Sequence, residues 1–216
     1  MTSGSFASFP PEPSDWGASL RSRMFDQRVV FVTGELNDEA AGRAAMELMT
    51  LDATGDTAVQ LHLESPSGEL GAALAVMDVV DTMGVNVTGV AMGLVGGPAV
   101  GVLAACRRRI SMPHARFHLC EPSAAFSGDA RTIDRWLTHR KRQWGQYCER
   151  VAGSLARPVE EVESLFADAP YLGADEALAM RLVHEIARAR GEIATLRRPA
   201  GFAGDTRIDW TPPSVP

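Results

Sequence analysis

The sequence predicts an α/β fold built around a parallel sheet. Three observations carry this. Apolar β-type runs at 28–33, 58–64 and 85–90 alternate with stretches of helical periodicity. The crossovers between those runs are long enough for parallel pairing, which needs about a dozen residues or more, and too long for hairpins. The third run leads through Gly93, Gly96, Gly97 and Pro98 into a helix of small residues ending at Cys106, a strand–turn–helix built like the elbow that carries a nucleophile in many hydrolases.

In chain order, Arg28–Thr33 reads as a buried strand, and Asn37 or Asp38 can cap a helix reaching about Leu51. Ala41, Ala44, Ala45, Leu48 and Met49 are its expected core face. Ala58–Glu64 alternates, with Val59, Leu61 and Leu63 on one side. The tight loop Ser65–Gly68 opens a helix over Glu69–Met83, with Ala72, Ala73, Val76, Met77 and Val80 at helical spacing. After the elbow, Arg109–Met112 and Arg116–Cys120 are short strands separated by Pro113. Asp129 opens a long amphipathic helix to about Gly153, with a stripe of Ile133, Leu137, Arg140, Trp144, Tyr147 and Val151. At 1.5 Å per residue it runs roughly 35 Å, long enough to project toward a partner. Shorter helices over Pro158–Phe166 and Ala174–Arg181 precede a closing strand, Leu182–Ile186. Residues 1–19 are read as a flexible arm, 20–190 as the folded domain and 191–216 as a flexible tail.

A length of 216 residues suits one domain with tails, and 45% apolar content supplies a core. A net charge of −6 argues against a general nucleic-acid or membrane surface. The clusters Arg107–Arg109 and Arg140–Arg142 read as solvated faces or subunit salt bridges. Cys106, Cys120 and Cys148 lack metal-type spacing, and their odd number fits a reducing cytoplasm. His114, His139 and His184 have no metal-type partners, and His62 lies in an alternating strand; no metal and no cofactor is expected. No run approaches ~18 apolar residues, so no membrane span is expected, and the first nineteen residues lack the pattern of a secretory signal.

The elbow has no nucleophile. No serine lies between Ser67 and Ser111, and no cysteine precedes Cys106 on this stretch.

The loop Ser65-Pro-Ser-Gly-Glu-Leu, the segment Asp78–Met83, the elbow Gly93-Leu-Val-Gly-Gly-Pro-Ala, and the segments Met112–Arg116, Glu121-Pro122 and Tyr171–Ala177 follow one another in an order that resembles the proteolytic subunit of the ATP-dependent Clp protease. Ser65-Pro-Ser-Gly-Glu-Leu resembles that family's Ser-Pro-Gly-Gly loop. Gly93-Leu-Val-Gly-Gly-Pro-Ala stands where the family has Gly-Gln-Ala-Ala-Ser-Met-Gly. Asp78–Met83, Met112–Arg116, Glu121-Pro122 and Tyr171–Ala177 resemble further family segments in the same order. The resemblance covers about Leu20–Ile186. It implies a ClpP/crotonase-like fold with a parallel sheet, repeated β-β-α units and a protruding handle helix, the one opened by Asp129. It also implies heptameric rings, homo- or hetero-oligomeric with paralogues, and an AAA+ unfoldase as a further partner. Trp144 and Tyr147 on the handle are the expected oligomerisation residues.

Family members resemble other serine peptidases: a serine attacks, a histidine takes its proton, an aspartate orients the histidine, and two backbone N–H groups stabilise the oxyanion. By the resemblance, the serine position falls on Gly97, the histidine on Cys120 and the aspartate on Ala169, with Asp168 adjacent. The oxyanion donors fall on Gly68, which keeps its N–H, and Pro98, which has none. The expectation is a non-catalytic structural or regulatory ring subunit. Three rivals remain: an active hydrolase using other residues, a crotonase-type acyl-CoA enzyme on the same fold, and a self-assembled inert ring. One form of the first pairs a Cys120 thiol with His118, but i and i+2 on a strand stand ~7 Å apart, too far for a direct hydrogen bond. Glu69 beside the loop could face the emptied site, although a carboxylate at a helix N-terminus is sufficiently explained by the dipole.

Overall fold

A computed structural model describes residues 16–187. The expected tail at 191–216 and most of the expected arm at 1–19 lie outside these residues. The last part of the arm instead opens a helix that the sequence reading did not foresee, α1 (Trp16–Asp26). Then follow β1 (Val29–Thr33), α2 (Asp38–Thr54), β2 (Val59–Glu64), α3 (Leu70–Thr82), β3 (Val87–Ala91), β4 (Leu94–Gly96), α4 (Pro98–Ala105), β5 (Arg108–Ser111), β6 (Arg116–His118), α5 (Ala130–Leu155), α6 (Val159–Asp168), β7 (Tyr171–Gly173), α7 (Ala174–Ala179) and β8 (Glu185–Ile186).

The main sheet has the order β1-β2-β3-β5-β8, and all four of its pairings are parallel. A second sheet, β4-β6-β7, pairs β4 with β6 in parallel and β6 with β7 antiparallel. The two sheets share a repeated unit: a long strand, a short extended piece and a helix. β3, β4 and α4 form one such unit. β1 and α2 are joined through Leu36, and β2 and α3 through Gly68. Leu36 and Gly68 pair in a single parallel bridge, and Gly96 N–H donates to Ser65 O at 2.8 Å. These extended pieces therefore line up beside β4.

Asn37 caps α2 by accepting from Ala40 N–H at 3.0 Å, satisfying one of the orphan donors at a helix start. The buried face of α2 is Ala40, Ala41, Ala44, Leu48 and Leu51, whereas Met49 is exposed. The inward stripe continues from Leu48 to Leu51, three residues on; Met49, one residue past Leu48, is turned about 100° away. All eight residues of α4 are buried, and the helix packs against α3 and α5. Each fully buried Leu or Val there contributes about 1.5–3 kcal/mol.

Arg109 corrects the solvated-cluster expectation. It is buried, and its guanidinium donates to Leu182 O (2.8 Å), Arg181 O (3.0 Å), Ser154 O (3.2 Å) and Cys106 O (3.4 Å). The orphan carbonyls at the C-terminal ends of α4 and α5, and just beyond α7, converge on one planar fork of donors.

His62 is buried in β2, hydrogen-bonded to Gln60 Oε1 at 3.0 Å and set edge-on to Phe31. Burial lowers its pKa to about 4, so the ring is neutral in the fold. Above pH 6.5 both folded and unfolded states are neutral and nothing is lost. As pH falls from 6.5 toward 4, only the unfolded chain protonates, and stability should drop by about 3 kcal/mol. Urea unfolding at pH 7.5 and pH 4.5 checks this: His62→Gln should flatten the pH slope over that interval, and an unchanged slope would remove His62 as its source.

Helix α5 spans 26 residues, about 39 Å. Its buried residues, Tyr147, Cys148, Val151, Ala152 and Leu155, all lie in its second half. The expected oligomerisation pair, Trp144 and Tyr147, lies in this half. Tyr147 is wholly enclosed within its own chain, and Trp144 is half-buried, packed against Tyr147 (5.2 Å) and Phe166 (5.4 Å). The reason is that the apolar stripe, continuous in sequence, changes environment along the helix. Its second half seals the core, while Ile133 and Leu137 remain exposed. Among the described residues, no helix is long and apolar enough to cross a membrane.

Candidate active site

Gly97 stands between β4 and α4 with φ +51° and ψ −125°, a conformation that suits glycine and strains any other residue. Its N–H donates to His118 O at 2.9 Å. Its carbonyl accepts from the Tyr147 hydroxyl at 3.1 Å, and that hydroxyl in turn accepts from Gly101 N–H at 2.8 Å. The tyrosine oxygen is thus threaded into the first turn of α4, where a direct bond from Gly101 to Gly97 would otherwise close. Position 101 must be glycine for this, because a Cβ there would come within 2.1 Å of the Tyr147 ring.

Cys120 follows β6 and lies beside Gly97. A Cβ built on Gly97 would sit 3.6 Å from Cys120 O and 3.7 Å from Cys120 Sγ. Burial raises the Cys120 pKa, partly offset by a hydrogen bond from the Gly97 backbone. The thiol is therefore the protonated, weakly nucleophilic form at neutral pH.

Ala169 caps α6 in the left-handed conformation, φ 48° and ψ 49°. β6 and β7 pair antiparallel, with His118 opposite Tyr171, and Leu119 N–H donates to Pro170 O at 3.1 Å. Extending that register sets Cys120 opposite Ala169. The structure thus brings Gly97 and Cys120 together, and Ala169 stands across from Cys120 by this extended register, while Asp168 is exposed at the last residue of α6.

Gly68 approaches Leu36 so closely that a Cβ would lie 2.6 Å from Leu36 Cβ. Leu36 N–H donates to Ser67 O and Glu69 N–H to Leu36 O. By the alternation of a parallel ladder, the Gly68 N–H faces away from Leu36. Pro98 is the first residue of α4 and has no N–H to offer.

A cleft of about 590 Å³ opens over these residues. Gly68, Gly97, Pro98 and Cys120 line it, with Glu35, Ser67, Glu69, Glu121, Ser123, Trp136 and Arg140 around them. Glu69 does face the cleft, from the N-cap position of α3. No histidine lines it. The His118 ring stacks on Tyr171 at 3.9 Å instead. His62 is held in β2, and His184 Nδ1 accepts from Arg109 N–H at 3.1 Å. Among the described residues no group of His, Cys, Asp and Glu could hold a metal ion. The arrangement offers one backbone donor and a half-buried thiol, without a histidine beside either.

The sequence reading missed the tyrosine threaded into α4. Its only signal was Gly101, a glycine inside a helix, which is unfavourable there unless something packs against it.

The sequence profile of the Clp protease family matches residues 14–190. The ATP-dependent Clp protease proteolytic subunit 3 of Rhodococcus jostii is 32% identical over 180 residues, covering 81% of this chain and 88% of that protein. Proteolytic subunit 2 of Thermobifida fusca is 29% identical over 170 residues, covering 76% and 82%. The proteolytic subunit of Chlorella vulgaris is 28% identical over 185 residues, covering 82% and 90%. The parallel sheet with its repeated β-β-α units and projecting helix fits this match, and the chain belongs to the family of proteolytic subunits of the ATP-dependent Clp protease.

Proposed function

We propose that this subunit is catalytically silent and serves as a structural or regulatory member of a ring shared with active paralogues, with an AAA+ unfoldase as the assembly's further partner. The observation that carries the reading is Gly97: the elbow keeps its backbone geometry but holds no side chain, and no histidine lines the cleft above it. Nucleophile, base and orienter act as a unit, so a site lacking all three retains at most what an oxyanion hole supplies. That hole is reduced as well, since Pro98 has no N–H. The same gap counts against a crotonase-type acyl-CoA reaction, which needs paired donors.

The serines nearby do not replace the missing one. Ser65 and Ser111 are buried and donate to the carbonyls of Ser67 and Met112, while Ser67 and Ser123 line the cleft without a histidine beside them. The purified protein should therefore neither cleave fluorogenic peptides nor react with a fluorophosphonate. Intact-mass measurement after labelling checks this; stoichiometric modification of any serine between 65 and 125 would overturn it.

A further inference from the structure

The first half of α5 carries charge that the fold does not use. Residues 130–146 include no buried side chain. They hold five cations, Arg131, Arg135, Arg140, Lys141 and Arg142, against one carboxylate, Asp134, in a chain whose net charge is −6. Elsewhere the arginines are mostly engaged: Arg21 with Glu47, Arg108 with Glu185, Arg150 with Asp81, Arg157 with Glu161, and Arg28 and Arg109 with carbonyls. Of the five cations in residues 130–146, Arg140 donates to Pro122 O. Arg131, Arg135, Lys141 and Arg142 make no ion pair among the described residues.

Their spacing is not random. Arg131, Arg135, His139 and Arg142 recur at intervals of four, four and three, which is one row along a helix. The adjoining apolar row exposes Ile133 and Leu137, and Phe126 stacks on Trp136 beside them, 5.0 Å between ring centres. Lys141 continues the Ile133–Leu137 row itself. A projecting helix with exposed apolar side chains and a surplus of cations is half of an interface. The missing half must bring apolar contact and carboxylates.

We propose that the projecting half of α5 docks on an acidic helical face of a different protein chain, and that its charge works against pairing with a second copy of itself. Two copies meeting along this helix would set five cations against five, with one carboxylate each to relieve them. Those charges would lie within about 10–15 Å of each other, inside the Debye length of dilute salt, so the repulsion would be felt. An acidic partner reverses the sign and adds electrostatic steering. The inference stands on the charge of α5 alone and holds whether or not the elbow is silent. Its failure is read in association, not in peptidase activity.

The test uses the full chain and a charge-reversed copy, Arg131→Glu/Arg135→Glu/Arg142→Glu, as the acidic probe. Sedimentation at 50 mM NaCl should show a mixed complex at least tenfold tighter than self-association of the unmodified chain through this helix. That portion is defined as what Leu137→Asp abolishes. Raising NaCl to 500 mM should weaken the mixed complex and leave Leu137-dependent self-association unchanged or stronger. The inference is overturned if the unmodified chain self-associates through α5 as tightly as the mixture, or if the folded mixture forms no complex. It is equally overturned if a 30-nucleotide single strand binds the unmodified chain more tightly than the acidic copy does. Should the reversed copy not fold, the salt series on the unmodified chain decides alone: Leu137-dependent self-association that is strongest at low salt contradicts the proposal.

Discussion

Gly97→Ser alone leaves the protein inactive, whereas Gly97→Ser combined with Cys120→His, Ala169→Asp and Pro98→Met yields measurable peptide cleavage. The space exists for the first change, because a Cβ at position 97 makes only ordinary contacts with Cys120. Its φ of +51° costs a serine about 1–3 kcal/mol, a strain that nucleophile elbows sustain. That hydroxyl would face a thiol, and a thiol whose pKa is raised by burial is no base. Histidine at 120 supplies the base, and the β6–β7 register puts position 169 across from it. Methionine at 98 returns the second oxyanion N–H, worth roughly 3 kcal/mol of transition-state stabilisation. The triple variant with Pro98 retained should therefore show only a trace. The readout is kcat/KM on a short fluorogenic peptide, with assembly size measured in parallel. Full activity from Gly97→Ser alone would reveal a base already in place. A folded but inert quadruple variant would show that the three positions no longer hold the spacing a proton relay needs.

Arg109→Met costs about 3–5 kcal/mol of folding stability. The methionine fills most of the space but donates nothing, and four carbonyls lose their common partner. Each buried acceptor left without a donor costs about 1–3 kcal/mol, with water recovering part of that where the site is close to the surface. Arg109→Lys should lose less, roughly 1–3 kcal/mol, since an ammonium reaches fewer of the four oxygens than a planar fork does. Urea unfolding followed by tryptophan fluorescence checks both. A loss below about 1 kcal/mol for Arg109→Met would show that these helix ends hold together without it.

These two sites differ in how far the sequence announces them. Alternation of strand and helix, the Asn37 cap and the elbow were legible because each depends on neighbours a few residues away. The approach of Cys120 to Gly97 was legible only through resemblance, since it depends on β6 pairing with β4, as the place of Ala169 across from Cys120 depends on β6 pairing with β7. Strands of three residues leave almost no periodicity to detect. Arg109 looked like its neighbours Arg107 and Arg108 because nothing local marks a cation for burial. The carbonyls it gathers come from residues up to 73 positions away. The burial of Tyr147 is hidden from the sequence for the same reason: its stripe runs unbroken along α5, and only the fold tells which turns face inward.

The tyrosine threaded into α4 also constrains the substitutions open to this chain over time. While Tyr147 is present, alanine at 101 would put a methyl group inside the ring's own volume, so position 101 cannot change first. Losing the ring first empties a large buried space and frees the Gly97 carbonyl it held, so position 147 does not change at little cost either. The pair sits at a mutational dead end, reachable in either direction only through a damaged intermediate. Because Gly97 is held from behind by this lock, its backbone shape does not depend on there being a serine to present. A lineage can lose the nucleophile in a single step and still inherit the turn.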